Sequence, residues 1–219
     1  MGRRRRGSQN PYRRADRFTQ RAHAEGYAAR SVYKLTEIQR RFQPLRRGGR
    51  VVDLGCSPGS WWRYAAQIVG PGGIVVGVDI DEPQTSPGPL ILRSVLEVTP
   101  GEVHAALGGA ADVVLSDMAP RTTGDTFGDH VRQLELARSA LQLALALLRP
   151  GGAFVCKVFD GEEAPSFVTE LRRCFGRVKR VRPEAVRQRS REFFVVATGF
   201  TPPPDRSPEA AARRAPPDA

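Results

Sequence analysis

Cysteine and histidine are both scarce in this sequence, with three of each among 219 residues. The cysteines, Cys56, Cys156 and Cys174, form no Cys-x-x-Cys pair, so their spacing predicts neither a metal site nor a structural disulfide. A sparse and odd set of cysteines is typical of a reducing compartment. We therefore expect a cytoplasmic protein that binds no metal.

Long hydrophobic runs are also absent. The most apolar stretch, Leu141 to Leu148, is far shorter than the roughly 18 residues that span a bilayer. No apolar segment follows the Arg-rich N-terminus, so we expect neither a secretory nor a twin-arginine signal. These features predict a protein with no membrane partner.

Acidic residues are too few to balance the basic ones, since 23 Asp and Glu face 34 Lys and Arg, a formal charge of +11. The excess is concentrated in residues 1–24, which hold eight Arg and one Asp. Dense runs of one charge are typical of segments that contact nucleic-acid phosphates. We predict a basic, disordered RNA-contacting arm over 1–24, a folded domain over 25–200 and a disordered Pro- and Ala-rich tail over 201–219.

Lysine is rare among the basic residues: only Lys34, Lys157 and Lys179 are lysines, and the others are arginines. A guanidinium group stays protonated, whereas an ammonium group can give up its proton in a suitable site. Each lysine is therefore a candidate for chemistry that arginine cannot perform.

Hydrophobic periodicity predicts strands that alternate with helices. We predict helices over 32–42, 61–69, 99–108, 129–148 and 163–174, and strands over 50–54, 74–78, 90–92, 112–116, 153–159, 177–182 and 192–199. This order predicts a Rossmann-like α/β fold with a mostly parallel seven-stranded sheet and helices on both faces. The last two strands have no helix between them, so we expect them to pair as an antiparallel hairpin.

Ligands of such sheets bind beyond the carboxyl ends of the strands, and three acids stand at or directly after the ends of predicted strands: Asp53, Asp79 and Asp117. The loop Asp53–Trp61 lacks a Gly-x-Gly-x-x-Gly pattern, and Pro58 removes an N–H donor, which disfavours a dinucleotide. Its glycines, Gly55 and Gly59, would let a ligand approach closely. Three acids without a phosphate-binding loop favour a cationic nucleoside, and S-adenosyl-L-methionine fits that description.

Four separated segments resemble the motifs of the FtsJ/RrmJ family of ribosomal RNA 2′-O-ribose methyltransferases. The segments are Asp53–Trp61, Ser116–Pro120, Val155–Phe159 and Arg189–Glu192. The similarity extends over about residues 28–200 and includes Arg30–Leu35, which resembles the first helix of that family. The resemblance implies an S-adenosylmethionine-dependent methyltransferase and a catalytic tetrad. The tetrad falls on Lys34, Asp117, Lys157 and Glu192.

For the methyl donor, the resemblance implies contacts from Gly59, Trp61, Asp79 and Asp117, to which the strand-end pattern adds Asp53 and Gly55. The sequence departs from the family after the third predicted strand, where Ser94 stands in place of the usual acid. The adenine contact then falls on Ser94 or on a backbone carbonyl group.

Ribose 2′-hydroxyl groups are poor nucleophiles, so methyl transfer benefits from a base and from alignment. Our hypothesis assigns Lys157 as the base, or as the group that orients the hydroxyl. Lys34 and Glu192 form its electrostatic frame, and Asp117 links donor and substrate. No aromatic ring follows Asp117 to stack a base, which disfavours methylation of exocyclic base amines. Cys56 and Cys156 are interpreted as small apolar fillers.

The resemblance implies a uridine in the peptidyl-transferase A-loop of 23S rRNA, within an assembled 50S subunit, as the substrate of a monomeric enzyme. We expect further RNA contacts from Arg40, Arg41, Arg46, Arg47 and residues 177–191. Two alternatives stay open: a tRNA 2′-O-ribose methyltransferase of the same family, and a non-catalytic RNA-binding factor in ribosome assembly.

Overall fold

The structure, a computed structural model, describes residues 12–120, 125–186 and 190–202. Residues 1–11 of the predicted arm and 203–219 of the predicted tail lie outside the described residues. The division of the chain into arm, domain and tail therefore stays a prediction.

The described residues form six helices and seven strands. The helices are α1 (Tyr12–Ala24), α2 (Val32–Phe42), α3 (Ser60–Val69), α4 (Pro100–Leu107), α5 (Thr126–Leu147) and α6 (Ala164–Cys174). The strands are β1 (Arg50–Leu54), β2 (Ile74–Asp79), β3 (Leu90–Leu92), β4 (Ala111–Ser116), β5 (Leu148–Phe159), β6 (Phe175–Val181) and β7 (Glu192–Phe200). Each predicted strand and helix is present, and the boundaries differ most at β5, because Leu148 already pairs with Ala111.

The predicted arm differs in its second half, where residues 12–24 form helix α1 instead of disordered chain. Phe18 and Ala22 are four residues apart and so lie on one face of this helix. Ala22 is fully buried, and the Phe18 ring lies 5.6 Å from the Tyr33 ring of α2. The Arg21 guanidinium group lies 4.9 Å from the same ring. A small apolar face inside the basic segment is therefore enough to dock α1.

The seven strands form one sheet in the order β3-β2-β1-β4-β5-β7-β6. The first five are parallel, and β7 runs antiparallel to both β5 and β6, as the hairpin prediction required. The strand order changes direction between β1 and β4. This is the point where sheets of this kind open a crevice at the carboxyl ends of their strands.

Helices cover both faces of the sheet. Helices α4, α5 and α6 pack on one face, and α2 and α3 on the other. Side chains of β5 alternate between these faces, because successive residues of a strand point to opposite sides. Cys156 and Val158 face α5, and Val155 faces α2. Lys157 therefore points to the α2 face.

None of the described helices is both long and apolar enough to cross a bilayer.

Candidate active site

Four charged side chains from distant parts of the chain meet on the α2 face of the sheet. They are Lys34 of α2, Asp117 directly after β4, Lys157 of β5 and Glu192 at the start of β7. Lys34 Nζ lies 2.8 Å from Glu192 Oε1 and 3.5 Å from Asp117 Oδ1. Lys157 Nζ lies 3.1 Å from the same Asp117 oxygen. The predicted tetrad is thus one continuous chain of alternating charges.

The cluster is nearly closed to solvent, since the exposed fraction of its side chains is only 6–14%. Two lysine side chains alternate with two acidic side chains, so each acid has a lysine beside it. Burial by itself would lower the pKa of Lys34, but the carboxylates of Asp117 and Glu192 overcome it and raise that pKa above its ordinary value. Lys34 therefore stays cationic and stabilises the two acids.

Lys157 is held by a second contact with Asp117. Its Nζ donates a 2.5 Å hydrogen bond to the Asp117 main-chain carbonyl oxygen. This contact is possible because β4 ends at Ser116, which pairs with Cys156, and the chain then turns away from the sheet. Main chain and carboxylate of Asp117 together fix where the amine lies.

The chain preceding Lys34 is tied to the start of α3. The Trp61 indole N–H donates to the Ser31 carbonyl oxygen at 2.8 Å, and the Ala29 N–H donates to Ser60 Oγ at 2.7 Å. The Trp61 ring also packs 5.6 Å from the Phe194 ring. The sequence analysis predicted that Trp61 contacts the methyl donor. Its side chain packs between α2 and β7, so the group that can face a ligand is its backbone N–H, which has no acceptor within the helix.

Asp53 is the most unusual residue of the site. Its side chain lies in β1 and is fully buried, and neither carboxylate oxygen has a hydrogen-bond partner among the described residues. Burial raises the pKa of Asp53 well above its ordinary value, and repulsion from Asp117 and Asp79 raises it further. A cation in the crevice would relieve this arrangement, because an unpaired buried carboxylate is strongly unfavourable.

Asp79 organises the loop that follows β1. Its two carboxylate oxygens accept hydrogen bonds from the N–H groups of Ser57 at 2.7 Å and Asp81 at 2.9 Å. A carboxylate has about four acceptor positions, so it can also accept from a ligand hydroxyl group. The predicted ribose contact is therefore compatible with its position at the end of β2.

Gly55 and Gly59 were predicted to admit a ligand, and the structure gives both of them close protein neighbours. Both have positive φ, at 77° and 110°. A Cβ at position 55 would overlap Met118, and one at position 59 would lie 2.6 Å from Thr85 Oγ1. These glycines let the loop after β1 pack tightly against the segments after β4 and β2, which shapes the wall of the crevice.

Ser94, predicted to contact adenine, caps a turn after β3. Its hydroxyl oxygen accepts the Leu96 N–H at 3.2 Å, and its hydroxyl hydrogen can still be donated. Three large apolar side chains exposed nearby were missed by the sequence analysis: Ile80, Leu92 and Leu96. Their position along the chain could have indicated a role at the crevice, because Ile80 directly follows the strand-end acid Asp79 and Leu92 pairs with Asp79.

The two cysteines near the crevice are unreactive. Cys56 and Cys156 are both buried. Burial raises the pKa of the Cys56 thiol above its ordinary range and that of Cys156 to about 12. Both thiols stay protonated at neutral pH, in agreement with their interpretation as apolar fillers.

Replacing Lys34 by methionine is expected to lower kcat about tenfold, which corresponds to about 1.4 kcal/mol of lost electrostatic stabilisation. The physical reason is that Glu192 and Asp117 would keep only one compensating ammonium group between them. Steady-state kinetics of the catalysed reaction measure the effect, and Lys34→Arg, which keeps the charge, is the control. An unchanged kcat for Lys34→Met would contradict the framing role of Lys34.

A Rossmann-like sheet that gathers buried lysines and carboxylates at its strand-order reversal has the place and the charged groups of an enzyme active site. The family model described as FtsJ-like methyltransferase matches residues 27–200, and the chain belongs to that family. The match confirms the resemblance seen in the sequence, and the protein is a methyltransferase.

Curated relatives agree with this assignment. The chain is 45% identical over 184 residues to a Ribosomal RNA large subunit methyltransferase E of Desulfatibacillum aliphaticivorans, covering 83% of this chain and 88% of the relative. A protein of the same name from Desulfosudis oleivorans is 46% identical over 189 residues, covering 85% and 90%. Among solved structures, a ribosomal RNA methyltransferase of Plasmodium falciparum superposes with a TM-score of 0.70 at 24% identity, covering 80% of this chain and 98% of that one. The superposition confirms the fold.

Proposed function

We propose that this protein transfers a methyl group from S-adenosyl-L-methionine to a ribose 2′-hydroxyl of 23S ribosomal RNA. The target within this proposal is a uridine of the peptidyl-transferase A-loop in the assembled 50S subunit, and the enzyme acts as a cytoplasmic monomer. The observation that carries the proposal is the buried cluster Lys34–Glu192–Asp117–Lys157. The names of the curated relatives support ribosomal RNA as the substrate.

The residues of the crevice fit S-adenosylmethionine, whose sulfonium supplies an electrophilic methyl group. The unpartnered Asp53 carboxyl group and the nearby Asp79 and Asp117 make this end of the sheet attractive to a cation. Asp79 would accept from the ribose hydroxyls of the donor. Ile80 and the Ser94 turn would hold the adenine, with the second lone pair of the Ser94 hydroxyl oxygen accepting from the adenine amino group in place of the usual acid.

The chemistry at the substrate is a proton transfer to Lys157. In its neutral form the amine accepts the 2′-hydroxyl proton and becomes an ammonium, which the Asp117 carboxylate stabilises from 3.1 Å. The 2.5 Å contact with the Asp117 carbonyl oxygen limits where Nζ can lie, so that its lone pair is presented in one direction. The Lys34 ammonium group contacts both Asp117 and Glu192. Both acids therefore keep a cationic partner while the charge of Lys157 changes.

The surface cations predicted to contact RNA fall into two groups. Arg41 pairs with Glu37, and Arg180 pairs with Asp160. By contrast, no ion pair among the described residues involves the exposed cations Arg40, Arg46, Arg47, Arg177, Lys179 and Arg191. Residues 187–189 of the predicted contact stretch lie outside the described residues. We assign phosphate contacts to this second group and to the arm, because an arginine with an intramolecular partner must give it up to bind RNA.

Methylation assays on three substrates test the proposal: 50S subunits, protein-free 23S rRNA and tRNA. We expect transfer to 50S subunits, with the new 2′-O-methyl group mapped to a single A-loop uridine. Transfer to tRNA alone would favour the tRNA-modifying alternative. Donor binding without transfer to any RNA would favour the assembly-factor alternative.

A further inference from the structure

Gln133 of α5 makes two hydrogen bonds to the end of β5, on the sheet face opposite the catalytic cluster. Its Nε2 donates to the Lys157 carbonyl oxygen at 2.7 Å, and its Oε1 accepts the Phe159 N–H at 2.9 Å. The residue is only 1% exposed. Both the N–H and the C=O group of this buried carboxamide are thus bonded to one strand, β5.

These two bonds copy the pattern of a parallel sheet. In a parallel ladder, one residue of a strand bonds the C=O of residue i and the N–H of residue i+2 on its neighbour. Here the carboxamide bonds the C=O of 157 and the N–H of 159. The neighbour on this side should be β4, but its last partner pair is Ser116 with Cys156. The Gln133 carboxamide takes the place of the β4 main chain directly beyond this last pair.

The early exit of β4 is what the catalytic cluster needs. If β4 continued beside β5, the Asp117 carbonyl group would lie in the plane of the sheet and point toward the β1 side, where it could not accept from Lys157 Nζ. Its departure leaves the main chain of residues 157–159 without a β4 partner on that side, and buried backbone groups without a hydrogen-bond partner are destabilising. Gln133 satisfies them without restoring the strand.

We propose that Gln133 is a positioning residue for Lys157: its carboxamide fixes the backbone from which the amine extends, so that Nζ meets the 2′-hydroxyl in register. This inference rests on the proposed role of Lys157. Gln133 lies on the sheet face that α5 covers, whereas Lys157 Nζ contacts Asp117 on the sheet face that α2 covers. Its effect on the reaction therefore passes through the main chain of β5.

The test is Gln133→Met, which keeps the volume and removes both hydrogen bonds. We expect kcat to fall about tenfold, since small displacements of a reacting group are costly. The Kd for S-adenosylmethionine and the KM for 50S subunits should stay within about twofold of the wild-type values. Because the variant also loses stability, assays are run at a temperature where circular dichroism shows it folded.

Gln39 offers a matched control. Its carboxamide makes the same pair of bonds, to the N–H and C=O of Leu45, at 3.0 and 2.9 Å. Leu45 lies in the loop before β1, whereas the cluster lies at the opposite, carboxyl ends of the parallel strands. Gln39→Met should lower the melting temperature in a similar way and leave kcat unchanged. Equal losses of kcat in both variants would overturn the proposal, because they would reflect general loosening.

A double variant separates this inference from the proposed function. If Gln133 acts through Lys157, then Gln133→Met should add no further loss to Lys157→Ala, whereas independent effects would multiply. A wild-type rate for Lys157→Ala would overturn the proposed mechanism itself. A collapsed rate for Lys157→Ala with a wild-type kcat for Gln133→Met would overturn only the positioning role.

Discussion

Replacing Lys157 by alanine is expected to lower the rate of methyl transfer about 10³-fold, the range in which removal of a positioned general base falls. Two effects contribute. The group that accepts the hydroxyl proton disappears, and the Asp117 carboxylate loses its 3.1 Å partner, leaving one ammonium for two acids. Single-turnover kinetics with saturating donor measure the rate, and calorimetry should show a donor Kd within about threefold of the wild-type value.

Lys157→Arg distinguishes a base from a fixed charge. Arginine keeps a positive charge next to Asp117 but stays protonated throughout the accessible pH range. If Lys157 accepts a proton, Lys157→Arg should be as inactive as Lys157→Ala. A Lys157→Arg enzyme with a tenth or more of the wild-type rate would show that the charge alone suffices, and the base assignment would then be wrong.

Asp53→Asn is expected to stabilise the ligand-free protein and to weaken donor binding about 30-fold. The affinity loss corresponds to about 2 kcal/mol for removing one partner of a buried charge contact. The stability gain arises because asparagine cannot ionise, whereas the wild-type carboxyl group is buried without a partner beside Asp79 and Asp117. Stability and donor binding should thus change in opposite directions.

The gain should depend on pH in a defined direction. The folded pKa of Asp53 is raised, while the unfolded residue releases its proton at about pH 4. The stabilisation by the bound proton is therefore complete below about pH 4 and is lost as the pH rises toward the folded pKa. Each tenfold difference between the two acid constants is worth about 1.4 kcal/mol, or about 3–6 °C in melting temperature. Melting curves from pH 4 to pH 8 should show the two proteins diverging.

Asp112→Asn is the matched control for this experiment. Asp112 lies in β4, where Arg149 Nε donates to it at 2.5 Å and the Arg50 N–H donates at 2.7 Å. Burial would raise its pKa, but these two contacts overcome it and lower that pKa. Asp112→Asn should therefore lower the melting temperature at neutral pH and leave donor binding unchanged. If Asp53→Asn also lowered the melting temperature and left donor binding unchanged, the conclusion that Asp53 has no partner would be wrong.

Local pattern was enough to predict the strands, most helices, the strand-end acid Asp117 and the two rare lysines, whereas Glu192 and the grouping of all four into one site came from the family resemblance. Strand ends of a parallel sheet converge, so charged residues at those positions are candidates for one site whatever the details of packing. Lys34 and Lys157 also stood out because lysine is rare in this chain. Sequence reasoning of this kind depends on residue type and on position relative to an element, and both are local.

Contacts that depend on tertiary packing were not predictable in this way. Gln133 reads as an ordinary polar residue of a helix, and only the early end of β4 gives it a partner. The docking of α1 depends on Phe18 and Ala22 within a segment whose composition suggests disorder. Likewise, Asp53 lacks a partner among the described residues because of the side chains that surround it in the fold. The spacing of residues in the sequence does not show which side chains these are.

The direction of β7 has a consequence for the order in which the enzyme becomes active during synthesis. Because this strand runs against its neighbours, its first residue, Glu192, arrives at the crevice, and the strand must insert between β5 and β6. A nascent chain that has emerged only as far as β6 can hold Lys34, Asp117 and Lys157 but has neither the fourth charge nor the strand that pairs with Lys157. Catalytic competence therefore depends on the insertion of β7, after the other six strands have been synthesised.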